Sequence, residues 1–142
     1  MPRKKTPADC LKTLLRRLNM GYIDIQVLHL GEKPETLVPG NKPVYSSGVR
    51  RHRFTDLSGG RVKVEIYECL GRPHDLQEMA SSAALSIATT IGRWGWETNW
   101  GTPEALCPPM QQFVPPNPGR QRSFWYAHAT FEAWQSPPAT EG

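Results

Sequence analysis

The apolar pattern of this chain changes period abruptly near its middle, and that change limits the fold more than any other feature. From Arg61 to Cys69 the residues alternate, with Val62, Val64 and Ile66 on one side and Arg61, Lys63, Glu65 and Tyr67 on the other. Period two predicts a strand with one buried and one wet face. Gly71-Arg72-Pro73 breaks that strand, and from about His74 to Arg93 the spacing is helical. Leu76, Ala80, Ala83, Ile87, Ile91 and Trp94 recur at steps of four, three, four, four and three. They form one continuous stripe, which places Trp94 in the core. Asp75 and Glu78 in the first turn and Arg93 in the last complement the helix dipole.

The flanking segments extend this pattern. Thr6-Pro7-Ala8-Asp9 reads as a helix start, with Thr6 as cap, Pro7 at the first helical position and Asp9 against the positive end of the dipole. Leu11, Leu14, Leu15 and Leu18 follow at helical spacing, and Asn19-Met20-Gly21 supplies the stop. Tyr22–Val27 alternates and predicts a strand, with Ile23, Ile25 and Val27 inward. Residues 31–43 are rich in Gly and Pro and read as loop, and Val44–Thr55 reads as a second strand. Asp56-Leu57-Ser58-Gly59-Gly60 then turns the chain into the Arg61–Cys69 strand, making a hairpin. Residues 95–121 hold six prolines and read as one long irregular loop, of a length that is often functional. Ser123–Trp134 alternates again, with Trp125, Ala127, Ala129, Phe131 and Ala133 on one face.

The predicted order is therefore α-β-β-β-α-β. It implies an α+β fold: a mainly antiparallel sheet of about four strands with two helices on one face. The 142 residues fit one domain, with a basic arm at 1–5 and a polar, Pro-rich tail at 135–142. No apolar run approaches the ~20 residues of a membrane span, and the basic start leads into no signal-peptide core. Three dispersed cysteines, Cys10, Cys69 and Cys107, suit a reducing compartment better than a disulfide framework.

The net charge of +4 is local. Residues 1–20 carry +5, which leaves −1 for the remainder, yet 42–63 hold six basic residues against Asp56 alone. Such clusters suggest docking surfaces more than a duplex-binding groove.

Chemical motifs are missing where catalysis would need them. His29, His52, His74 and His128 lie on different elements, and no pair of His or Cys has metal-ligand spacing. There is no GxSxG, no GxxxxGK[ST] and no GxGxxG between strand and helix. Glu65 and Glu68 fall on opposite faces of a strand and cannot form a dyad. Arg50-Arg51-His52-Arg53 could meet phosphates or an acidic partner, but a solvated edge strand protected by its charges accounts for it equally well. Only Tyr45 and Phe54 flank that run, fewer aromatics than a base-stacking surface uses. Trp96, Trp100 and Phe113 in the long loop are the candidate protein-interface anchors, with folding back onto the core as the rival role for the two tryptophans. Arg50, Arg51, Arg53, Lys4 and Lys5 form a candidate basic docking surface.

With this order of elements, the chain resembles the tail terminator (tail-completion) proteins of tailed bacteriophages and their relatives in the phage neck. The likeness spans about residues 7–134. It rests on the amphipathic first helix, the hairpin ending in Val62-Lys63-Val64-Glu65-Ile66-Tyr67, the Ala-rich helix after His74-Asp75-Leu76, and the closing strand Phe124–Trp134. The resemblance implies a small α+β protein that forms a ring, usually a hexamer, closing the tail tube and joining it to the head. Its implied partners are further copies of itself, the tail tube or sheath, head–tail connector proteins, and genomic DNA passing through without sequence preference. It implies a structural virion protein of the tail or neck, assembled in the host cytoplasm, with no catalysis, cofactor, small-molecule substrate or membrane. The long 95–121 segment and the basic N-terminus depart from the family's pattern and point toward a collar or gateway variant. A nucleic-acid-binding regulator using the basic N-terminus and Arg50–Arg53 is the alternative.

Overall fold

The structure, a computed structural model, describes residues 5–16, 23–33, 50–70, 76–103, 105, 107–108, 111–113 and 124–136. The side chains of Ile23, Asp24, Arg50, Cys69, Leu70, Phe113 and Phe124 lie outside that description. In chain order the elements are α1 (Pro7–Arg16), β1 (Ile23–Leu28), β2 (Arg50–Asp56), β3 (Val62–Leu70), α2 (Leu76–Gly92), β4 (Trp96–Thr98), β5 (Gln111–Phe113) and β6 (Phe124–Gln135). The fold is α+β: two helices and a six-stranded mixed sheet.

The sheet runs β1-β2-β3-β6-β4, with β5 also paired to β6. It has six strands instead of four, and β1 lies parallel to β2. Residues 29–49 separate those two strands, enough chain for the crossover that a parallel pair needs. The β2–β3 pair is an antiparallel hairpin in which Asp56 opposes Val62. Its turn places Gly59 at φ +76° and Gly60 at +77°, which explains the paired glycines. The long β6 pairs with β3 from Trp125 to Ala133 along one edge. Along its other edge it takes β4 at its C-terminal end and β5 at its N-terminal end.

The 95–121 segment is therefore not one irregular loop. Two three-residue strands interrupt it, each too short to show a period in the sequence.

Both helices pack on one face of the sheet. The α2 residues Leu76, Ala80, Ala83, Ala84, Ile87 and Ile91 are buried, and Ala8, Leu11 and Leu15 of α1 join the same core. Beneath them lie Phe54, Val62, Val64, Ile66, Ala127, Ala129, Phe131 and Ala133. The pairing registers put all eight on the same side of the pleat. Small alanines on α2 and β6 let helix and sheet approach closely. Thr6 and Asp9 close a reciprocal capping box at the start of α1. The Asp9 amide donates to the Thr6 hydroxyl at 3.3 Å, and the Thr6 amide to the Asp9 carboxylate at 3.0 Å.

Trp94 is a correction to the helical stripe: it is 43% exposed. The helix ends in tighter turns, with the Trp94 amide bonded to the Ile91 carbonyl, and the chain reverses at Gly95, φ +85°. The tightened turns carry Trp94 off the stripe, and the reversal after it leads Trp96 into the core, 4% exposed.

Candidate functional site

The other face of the sheet carries no helix among the described residues, and its side chains bind one another across the strands. Arg51, Arg53 and Thr55 of β2 oppose Tyr67, Glu65 and Lys63 of β3, which in turn oppose His128, Thr130 and Glu132 of β6. This is the face expected to be wet, yet Arg53, Glu65 and Tyr67 are buried. An arginine and a glutamate can be buried here because their charges meet. Arg53 Nε and Nη2 both lie 2.9 Å from Glu65 Oε1. The Tyr67 hydroxyl donates to Glu65 Oε2 at 3.2 Å.

The network continues across to β6. Tyr67 stacks on His128 with ring centroids 4.8 Å apart and planes 16° off parallel. His128 Nε2 lies 2.6 Å from the Thr130 hydroxyl. Burial pushes the His128 imidazole below its ordinary pKa; Glu65 opposes that shift, while Lys63 and Arg53 reinforce it. The neutral ring is the form the site favours.

A second group lies at the far end of the same face. Arg61 donates to Glu132 Oε1 at 2.9 Å, and its guanidinium sits 4.1 Å from the Trp134 ring centroid. Trp134 Nε1 donates to Glu97 of β4 at 2.9 Å. Near the opposite end the Tyr126 hydroxyl bonds Gln111 of β5. The two short strands thus contribute side chains to the surface as well as backbone to the sheet.

The residues singled out from the sequence are distributed across this structure and do not gather in one place. Arg51 and Arg53 are on the open face, half-buried and buried. Arg50 begins β2 opposite Glu68, and its side chain is outside the described set. Lys5 is exposed just before α1, on the helical side of the sheet, and Lys4 lies outside the described residues. Trp96 is in the core, and Trp100 is half-buried, meeting Phe131 edge-to-face at 5.8 Å. Both therefore occupy the folded-back position. Phe113 lies in β5 opposite Phe124, with its side chain outside the description.

The described histidines are likewise separate, and His74 lies outside the described residues. His29 bridges the carboxylates of Asp9 at 3.2 Å and Glu32 at 2.8 Å, and His52 is buried on the helical face. Among the described residues no group of His, Cys, Asp and Glu could hold a metal ion. No described helix is long and apolar enough to cross a membrane. Cys10 and Cys107 are free and half-buried, and burial raises the Cys107 thiol pKa.

What the sequence does not reveal is the set of cross-strand pairs: Tyr67 with His128, Arg61 with Trp134, Arg53 with Glu65. Each joins residues that only the pairing of different strands brings together, so its signal lies in the register. The one local hint is the outward row Tyr126, His128 and Trp134 on β6, large side chains where a merely solvated strand needs none.

A comparison with models of known protein families finds no match, and a search among curated proteins finds none either.

Proposed function

We propose that this chain is a non-enzymatic structural subunit of a phage virion, acting in a ring at the head–tail junction as tail terminators do. Its binding partners in this reading are neighbouring copies, the tail tube or sheath, and a head–tail connector. DNA passes through without being read.

The observation that supports it is the sheet face that no described helix covers. Among the described residues helices layer the sheet on one side only, and the other face holds Arg53, Glu65 and Tyr67 buried at its centre with Arg51, Lys63, His128, Thr130 and Glu132 half-buried around them. Here that surface is fixed in advance by its own ion pair, ring stack and cation–π contact. Side chains already held in place lose little freedom when a second protein docks on them. The same bonds occupy the residues that would otherwise do chemistry, since Glu65 is neutralised by Arg53 and His128 is stacked and disfavoured as a cation. The α-β-β-β-α-β order on which the resemblance rests is kept, with β4 and β5 added between α2 and the last strand.

Mass measurement in solution with negative-stain imaging, alone and with purified tail tubes, tests this reading. A closed ring, free or formed on the tube end, is the expected outcome. A chain that stays monomeric, ignores tubes and binds one DNA sequence selectively in excess competitor overturns it.

A further inference from the structure

The outward face of α2 differs from an ordinary solvated helix surface. Taking 100° per residue, Glu78, Ser82, Leu85, Thr89 and Gly92 fall on one side, Arg93 follows directly after the last helical residue, and all six are exposed. Leu85 is 56% exposed at the centre of that row. Residues 79–92 contain no charge, in a chain where 21% of residues are charged. The two charges that bound the row are opposite in sign, and neither has an ion-pair partner within the described chain.

The charges are also symmetrically placed. The midpoint between Glu78 and Arg93 falls between Leu85 and Ser86, and the midpoint between Ser82 and Thr89 falls at the same point. An antiparallel copy of α2 laid on this face about a twofold axis there would set Glu78 against Arg93 at both ends. Ser82 would oppose Thr89, and the two Leu85 side chains would meet near the axis. Each charged pair would stand about 11 Å from the axis, close enough to meet at a shallow helix crossing.

Gly92 supplies an independent observation. Its φ is not in the left-handed region, and a Cβ there would meet nothing within 4 Å. Neither backbone conformation nor packing inside the chain accounts for a glycine in the last turn of a helix. Gly95, at φ +85°, is the residue that makes the reversal. A surface approaching from outside gives Gly92 a reason.

We infer that the outward face of α2 is a self-association surface, and that its partner is the same face of a second copy, antiparallel about a twofold axis beside Leu85. A self-complementary patch of this kind is what an isologous contact requires. The inference does not depend on the virion reading, which concerns the opposite face of the sheet.

Sedimentation equilibrium of the full chain across the micromolar range tests it, with charge exchange as the discriminating variant. Glu78→Arg and Arg93→Glu should each weaken the self-association by about tenfold or more, because each sets like charges together. The chain carrying both substitutions should recover it. Leu85→Glu should abolish it while leaving the melting temperature of the dilute, dissociated chain unchanged, since the side chain is exposed there. A parent chain that is monomeric throughout, single exchanges that leave association intact, or a double exchange that fails to restore it would each overturn the inference. Exchange and recovery report on this face alone, whatever other contacts a ring uses.

Discussion

Asp56, the last residue of β2, accepts a hydrogen bond from the Ala8 amide in the first turn of α1, with Oδ1 2.9 Å away and the pair buried. Helix starts leave amides without partners, and Thr6 and Asp9 satisfy only part of the set. Asp56 supplies an acceptor from 48 residues away, so the hairpin fixes where α1 begins.

Replacing Asp56 with Ala should therefore cost about 1–3 kcal/mol, the penalty of a buried amide left without an acceptor. Denaturant unfolding checks it. A change of a few tenths of a kcal/mol would mean that α1 is held by its leucines alone.

The ion pair on the open face makes a sharper prediction. Arg53 and Glu65 are 8% and 6% exposed, so removing one takes from a buried charge its 2.9 Å ion pair. Glu65→Ala should destabilise by about 3–5 kcal/mol. The double variant Arg53→Met, Glu65→Leu should fall within about 1 kcal/mol of the parent, because it removes both desolvated charges together. Equal losses in the single and double variants would show that packing, not charge, holds this face.

The tryptophans show how much was legible in the sequence. Local periodicity located both helices, β3 and β6, because each repeats its pattern over nine residues or more, and the Gly59-Gly60 turn located the hairpin. The helical period correctly marked Ile87 and Ile91 as buried but carried on one step too far, to Trp94. It could not register that the helix ends in tighter turns before Gly95 reverses the chain, since both depend on backbone angles. β4 and β5 were hidden because three residues contain no period, and the parallel β1–β2 pairing because a crossover leaves no local trace. The open-face network was hidden for a related reason: Arg53 and Glu65 meet only once the register of the hairpin is set.

From this follows a reversal of roles for two neighbouring aromatic residues. Trp96→Ala should destabilise the isolated chain by about 3–5 kcal/mol, as a large buried side chain does. Trp94→Ala should change stability by no more than about 1 kcal/mol, being 43% exposed. Paired thermal melts read both. Had Trp96 been a free docking anchor, its removal would leave the melt unchanged.

The last prediction is a dependence on pH in two separate windows. The His128 pKa is held below its ordinary value in the folded chain, first by burial and then by Lys63 and Arg53, with Glu65 opposing. The unfolded chain takes up the proton near pH 6.5, before the folded chain does. Stability is therefore full above that pH and falls as the pH drops through the lowered folded value. His128→Gln should flatten this part of the profile. Asp9 acts lower on the scale. Its carboxyl is held below the ordinary carboxylate range, first by the Thr6 amide and then by His29 and the Thr6 hydroxyl, with burial opposing. Its contribution is present above about pH 4 and disappears as the pH falls through its folded pKa. Asp9→Asn should flatten only that acid limb. Melting temperatures of the parent and both variants from pH 8 down to about pH 3 resolve the two windows. A His128→Gln profile that keeps the parent's slope between neutral pH and about pH 5 would show that the ring stacked on Tyr67 titrates as freely as one in water.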